Sequence, residues 1–316
     1  NFALPDDKSA DGKVKDISLT MGGNFADGKG NAVVFFGYKK EDALLQSERD
    51  FTSCALGGST TGDTFNCGGS GTSYPGRFLL GSQGFTVADA NGGVRPYNAA
   101  TDAYNFGPLN YFRRPSERYT FSSFSHYNIN DKHRLYAEAS FHDDSTVAQI
   151  APSGLFGLDA SGANAITYEN PLLSDAWRRT LGLNAPGDTA DMVIFRRNVE
   201  GGGRQDDLNH TSYRGVVGIK GDIGNWQYDA FAQVGKVKYA ETYFNDFSVS
   251  RSARALDVVP GANGQPVCRS TLNGIDPNCV PYDIWRLGGV TQEALTYLQT
   301  PGFQRGSTSQ TVQGIN

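Results

Sequence analysis

The 316-residue sequence has no apolar run long enough to cross a membrane as a helix. Its best candidate, Ala32 to Tyr38, is a strand-sized patch, far short of the ~18–20 residues such a helix needs. Mean hydropathy is −0.43, which suits barrel strands, because only every second residue of such a strand meets lipid. Lys/Arg-rich clusters are absent and the net charge is −5, so no nucleic-acid surface is expected. There is no HExxH, no Walker loop and no GxSxG. The chain is therefore read as a non-enzyme without cofactor or metal. Asn1 is not a start methionine, and no signal-like segment precedes the first strand. The end, Gly314-Ile315-Asn316, follows a Ser/Thr/Gln stretch with nothing resembling a closing strand. Both ends read as cut, and an internal fragment is expected.

Cysteine is scarce but patterned. Cys54 and Cys67 flank a Gly/Ser/Thr-rich stretch, and Cys268 and Cys279 flank a second short loop. No Cys-x-x-Cys occurs and no His lies near either pair, so zinc is disfavoured. Two local disulfides in an oxidising compartment are expected, the alternative being four unrelated thiols.

What is present is alternation. Ile17, Leu19, Met21 and Phe25 oppose Ser18, Thr20, Gly22 and Asn24, before a turn at Asp27-Gly28-Lys29-Gly30 and a return strand from Asn31 to Lys39. Tyr119, Phe121, Tyr127 and Ile129 share one face, and Arg118, Thr120, Ser122, His126 and Asn128 the other, where Phe124 breaks the pattern. After Asn130-Asp131-Lys132, Leu135, Ala137, Ala139 and Phe141 oppose Arg134, Tyr136, Glu138, Ser140 and His142. A third hairpin alternates Tyr213, Val217 and Ile219 with Ser212, Arg214 and Lys220. It turns at Asp222–Asn225 and returns with Tyr228, Ala230, Ala232 and Val234. This predicts about six strands of ~10 residues, the length of membrane-spanning barrel strands.

Each hairpin turns in about four residues, whereas Glu41–Glu117, Thr146–Leu208 and the chain from Glu241 onward read as long loops. Long loops on one side and tight turns on the other are the outer-membrane plan. Both cysteine pairs fall in the long loops. Aromatics near strand ends (Tyr119, Tyr127, Phe141, Tyr213, Trp226, Tyr228) predict interfacial girdles, against ordinary aromatic β-propensity. Short helices are expected over Asn170–Arg179 and from Thr291 to Leu298, with Thr291 as N-cap.

Gly215, Gly218 and Gly221 lie inside a strand and read as room for close backbone approach. His126 and His142 share the polar face with Glu138 and read as wall lining. Asp143-Asp144 and Asp206-Asp207 read as solvated pairs or loop-base calcium ligands. Three arginine pairs, Arg113-Arg114, Arg178-Arg179 and Arg196-Arg197, lie on the long-loop side. They are candidates for an anionic ligand or lipopolysaccharide phosphate, the alternative being salt bridges to neighbouring loops.

RRPSERYTFSSFSHYNIN (Arg113–Asn130), DDSTVAQIAPSG (Asp143–Gly154), FRRNVEGGGRQDD (Phe195–Asp207), VCRSTLNGIDPNCVPYDIW (Val267–Trp285) and NFADGKGNAVVFFGY near the start resemble the barrel domain of TonB-dependent outer-membrane receptors. The resemblance covers nearly the whole chain in the same order. It implies an all-β fold: part of an antiparallel transmembrane β-barrel, about six to eight strands of a 22-stranded wall, with long extracellular loops. Plug domain, TonB box and C-terminal barrel strands are missing from residues 1–316. The implied function is TonB-dependent active transport of a bulky scarce solute (siderophore, cobalamin, oligosaccharide or peptide) across the outer membrane of a Gram-negative bacterium. Lipid, lipopolysaccharide and the TonB complex are the implied partners, the last through the missing N-terminal part. The alternative is a passive porin-like or adhesin-like barrel.

Overall fold

The computed structural model describes residues 11–59 and 61–315; the terminal residues Asn1 and Asn316 lie outside them. The chain is mostly β-strand, with few and short helices, none long and apolar enough to cross a membrane. Seven long strands form one antiparallel sheet in which each pairs with the next along the sequence. They are β1 (Val14–Phe25), β2 (Gly30–Glu41), β3 (Ser116–Asn128), β4 (His133–Pro152), β5 (Gly203–Ile223), β6 (Trp226–Phe244) and β7 (Gly302–Ile315).

Three turns close hairpins at one end of this wall, each set by local chemistry. Between β1 and β2, Ala26, Asp27 and Gly28 all take positive φ. Asn130 Oδ1 accepts from the amides of Lys132 and His133, each at 2.9 Å, so the side chain substitutes for a backbone turn. The third turn is tighter than its sequence suggests: Ile223 and Trp226 still pair, leaving only Gly224-Asn225, with Gly224 at φ 60°.

Two expectations about strand extent need correction. β4, β5 and β6 run to 20, 21 and 19 residues, about twice the length the alternation indicates. Beyond the apolar band the alternation is broken by polar pairs such as Asp143-Asp144 and Asp206-Asp207, so periodicity fades although the ladder continues. The loops accordingly shrink to residues 42–115, 153–202 and 245–301. The second correction concerns the tail. The Ser/Thr/Gln stretch is β7, paired with β6 from Tyr243↔Gly302 to Ala230↔Ile315. It lacks an apolar period because backbone pairing, not burial, holds it.

The loops are a folded unit. A five-stranded sheet joins Gly154–Ala160, Met192–Arg197, Arg77–Leu80, Gln83–Val87 and Val94–Pro96 in that order. Against it lie helices α1 (Asp175–Leu181), α2 (Val249–Leu256) and α3 (Gln292–Leu298). The helix expected from Asn170 starts later, because Ser174 caps the Trp177 amide, and Gly182 in the left-handed region ends it. Thr291 caps α3 through the Ala294 amide. The buried hydrophobic cluster draws entirely on the three loops, and none of its members lies in a wall strand. At its centre Phe78, Trp177 and Trp285, one from each loop, stand with ring centroids 4.9–5.5 Å apart. The Trp177 indole N–H donates to the Trp285 carbonyl at 2.8 Å, satisfying a polar group in a site closed to water.

The cap and wall meet at a bulge. Pro152 has no N–H to give the ladder, and register between β4 and β5 shifts at Ile150/Pro152. The displaced Ala151 amide donates to Asn110 Oδ1 at 2.8 Å.

Cys54 is bonded to Cys67 and Cys268 to Cys279. Each closes a short loop, stabilising by roughly 3 kcal/mol in the chain-entropy model. Cys268 is fully buried in the cap core, whereas Cys67 is exposed. Brief mild reduction followed by alkylation and mass mapping is therefore expected to open Cys54–Cys67 first. Equal rates would contradict the burial difference.

Candidate functional site

The wall has two chemically distinct faces. Paired register places Ile17, Tyr38, Tyr119 and Asp143 in one row, and Leu19, Phe36, Phe121, Phe141 and Tyr213 in the next. Rows nearer the turns carry Met21, Val34, Ala137, Val217, Ala232, Leu135 and Ile219 on the same face, and Phe25, Tyr127, Tyr228 and Trp226 finish it. Many of these side chains stay exposed, Ile17 at 66% and Val217 at 62%, a mainly apolar surface interrupted by Ser123, Ser125, Lys236, Thr311 and Gln313, and exposed apolar area of this extent marks an interaction face. All six aromatics read as girdle residues share it. Tyr38–Tyr119 and Phe36–Phe121 pair at 5.1 Å, and Phe141–Tyr213 at 5.3 Å.

The opposite face is mainly polar and internally paired, although Val33, Phe35, Phe124, Val216 and Phe231 also lie on it. Arg118 meets Asp144 at 2.7 Å, Arg214 meets Glu138 at 2.8 Å, and Tyr136 donates to Asp229 at 2.8 Å. His126 and His142 lie on this face, and no cluster of metal-ligating side chains occurs among the described residues. Gly218 is one of the strand glycines with a steric reason: a Cβ there would run into the Tyr136 ring.

The three arginine pairs do not converge. Arg113 holds the backbone carbonyls of Gly12 and Asp42. Arg178 bonds the Asn170 carbonyl at 3.1 Å and lies over the Tyr168 ring, while Arg179 is exposed on the same helix. Arg114 is exposed and faces Asp206 electrostatically.

Arg196 and Arg197 are both buried, at 2% and 4% exposure, and point to opposite sides of the cap sheet. Arg196 enters the core. It ion-pairs with Glu200, donates to Asn198 Oδ1 at 3.0 Å and to the Tyr282 hydroxyl at 2.9 Å, and lies over the Tyr74 ring. It thus ties the three loops together. Burial pushes the Tyr282 phenol up to about 12, keeping it a neutral partner.

Arg197 enters the other side. Its Nη1 donates to the Pro152 carbonyl at 2.9 Å. Its guanidinium lies 5.0 Å from the Phe156 ring centre and 5.4 Å from that of Tyr104. Two arginines not singled out from sequence share this side. Arg77 lies 4.5 Å from the Phe195 ring centre and 5.5 Å from that of Tyr97, and Arg204 lies 5.7 Å from Phe156. Arg204 belongs to β5 in phase with Arg214, so it stands on the wall's polar face where that face runs under the cap. That parity was its only sequence signal; Arg77 had none.

On the cap's flank Arg95 grips Asp102 with two hydrogen bonds, at 2.7 and 2.8 Å. This pairing lowers the Asp102 carboxyl from 3.8 to about 2. A depressed carboxylate stabilises above its unfolded value and loses that contribution as pH falls through its folded value. Segment 94–102 is therefore expected to gain protease sensitivity between pH ~4 and ~2, and Asp102→Asn to remove that pH dependence. An unchanged profile in Asp102→Asn would assign the loss to other groups.

No protein-family model, curated protein or solved structure matches the chain.

Proposed function

We propose that this chain is a stretch of wall and outer loops from a TonB-dependent receptor, an antiparallel β-barrel of the Gram-negative outer membrane that takes up a bulky, scarce solute. The observation carrying this reading is the two-faced wall. One face is mainly apolar and bounded by aromatic rows; the other is mainly polar and ion-paired. Tyr119 and Tyr127 mark the two rows on β3, eight residues or about 27 Å apart along a strand. At the 35–45° tilt of barrel strands that spans about 20 Å, near the ~25 Å apolar band of such barrels. Tight turns at one end and a disulfide-bonded cap at the other support the same orientation, loops outward.

In this reading the apolar face meets lipid, the polar face lines the interior, and the cap receives solute. The edges β1 and β7 pair with further strands of the wall, since an open edge invites aggregation. The test is made on the full-length protein in its native host. It is expected in the outer-membrane fraction, and deleting its gene should abolish uptake of one solute class that an uncoupler also abolishes. Uptake insensitive to the uncoupler would favour a passive porin-like barrel, and a purely soluble protein would end the membrane reading.

A further inference from the structure

The cap treats its arginines in two ways. Arg95, Arg178, Arg196, Arg254, Arg269 and Arg286 each have a carboxylate within 4 Å. Arg77, Arg197 and Arg204 have none among the described residues, nor do Arg113, Arg114, Arg179 and Arg251, although the chain is acidic overall. The first three occupy one surface. Phe195 pairs across strands with both Arg77 and Phe156, so the Arg77–Phe195 and Arg197–Phe156 stacks are neighbours, and Arg204 reaches the same Phe156 ring. The Nε atoms of Arg77 and Arg197 have no hydrogen-bond partner, as holds also for the carboxylate-paired Arg196 and Arg254. Asp206 and Glu241, further along the wall, engage each other and Arg114.

A cation buried without a counter-charge is costly. Arg197 is buried in this way, and Arg77 and Arg204 stand half-buried beside it. Arg197 Nη1 donates to the Pro152 carbonyl and Arg204 Nε to the Ala151 carbonyl, and the remaining guanidinium N–H groups, held in orientation by aromatic faces, suit carboxylate and phosphate. We propose that this platform binds an oxyanion-bearing solute, its carboxylate or phosphate groups gripped by Arg77, Arg197 and Arg204 and its frame resting on Phe156 and Phe195. The proposal rests on the uptake reading and names the substrate class for it: multiply anionic, and delivered from the cap to the wall's polar face through Arg204.

The experiment uses the full-length protein in detergent micelles, with citrate as carboxylate probe, pyrophosphate as phosphate probe and sucrose as neutral control, read by calorimetry. At least one anion is expected to bind and sucrose not to. Arg77→Gln/Arg204→Gln should weaken that binding tenfold or more. Arg269→Gln, which removes a paired cap arginine, should leave it unchanged. Because the double variant could perturb the cap, a second readout uses unmodified protein: butanedione labelling of Arg77 and Arg204, mapped by mass spectrometry, should be blocked by the bound anion while labelling of Arg269 is not. Binding of neither anion, or binding that protects neither arginine, overturns the proposal. Gradient-dependent uptake of a neutral solute alone would reject the anion class and leave the uptake reading standing. Anion binding at these arginines without gradient-dependent uptake would do the reverse.

Discussion

Val217→Arg is expected to destabilise the full-length protein in lipid by about 2–4 kcal/mol, the cost of a cation on the lipid face near the bilayer midplane. Val217 projects from the middle of the apolar face, between Ala137 and Ala232, and is largely exposed to whatever surrounds the wall. Ser122→Arg supplies the control. It lies at similar depth on the polar face, opposite Ser140 and beside Phe35, and should change stability by less than about 0.5 kcal/mol, as surface substitutions usually do. Denaturant unfolding of both variants in vesicles of defined thickness reads the difference directly. Equal effects would mean that the apolar face does not meet lipid, and the membrane reading would fall with it.

Removal of Arg196 should be the most damaging single change in the cap. Arg196→Ala leaves the partly exposed Glu200 carboxylate without its ion-pair partner and the buried Tyr282 hydroxyl with Asn198 alone, and the loss is expected at the lower end of the cost of breaking a buried pair, about 3 kcal/mol. Arg196→Lys keeps the charge but loses the fork that reaches Glu200, Asn198 and Tyr282 at once, so only partial rescue is expected. Since Tyr282 and Tyr74 join Arg196 to the other two loops, limited proteolysis should open residues 42–115, 153–202 and 245–301 together while β2 to β6 stay protected. Cleavage confined to one loop would show that the loops fold independently.

The six strands of the three hairpins, their facing residues and their turns were legible because strand period and turn chemistry are local. Tyr119, Phe121 and Tyr127 alternate with Arg118, Thr120 and His126 whatever lies beyond them, and Asn130 makes its turn with its own neighbours. The half-cystines were legible for the same reason, each pair being separated by 13 or 11 residues. β7 was not, since Gln304 to Gln313 offers no apolar period, and it becomes a strand only because β6 presents a free edge.

The cap was the larger omission. Phe78, Trp177 and Trp285 are isolated aromatics in polar loops, more than a hundred residues apart from first to last, and nothing local relates them. The arginine pairs show how far residue type alone reaches. Arg196 and Arg197 are adjacent in sequence and equally basic, yet strand alternation sends one into the core beside Glu200 and the other onto Phe156 without an acid.

By itself the sequence determined a two-faced antiparallel sheet with tight turns at one end and oxidised loops at the other, because each of those features is written within a dozen residues. Only the tertiary structure decided that the loops share one core, that β7 extends the wall, and that Arg77, Arg197 and Arg204 meet. Those outcomes depend on contacts between distant segments, and on which charges find a partner when the chain closes on itself.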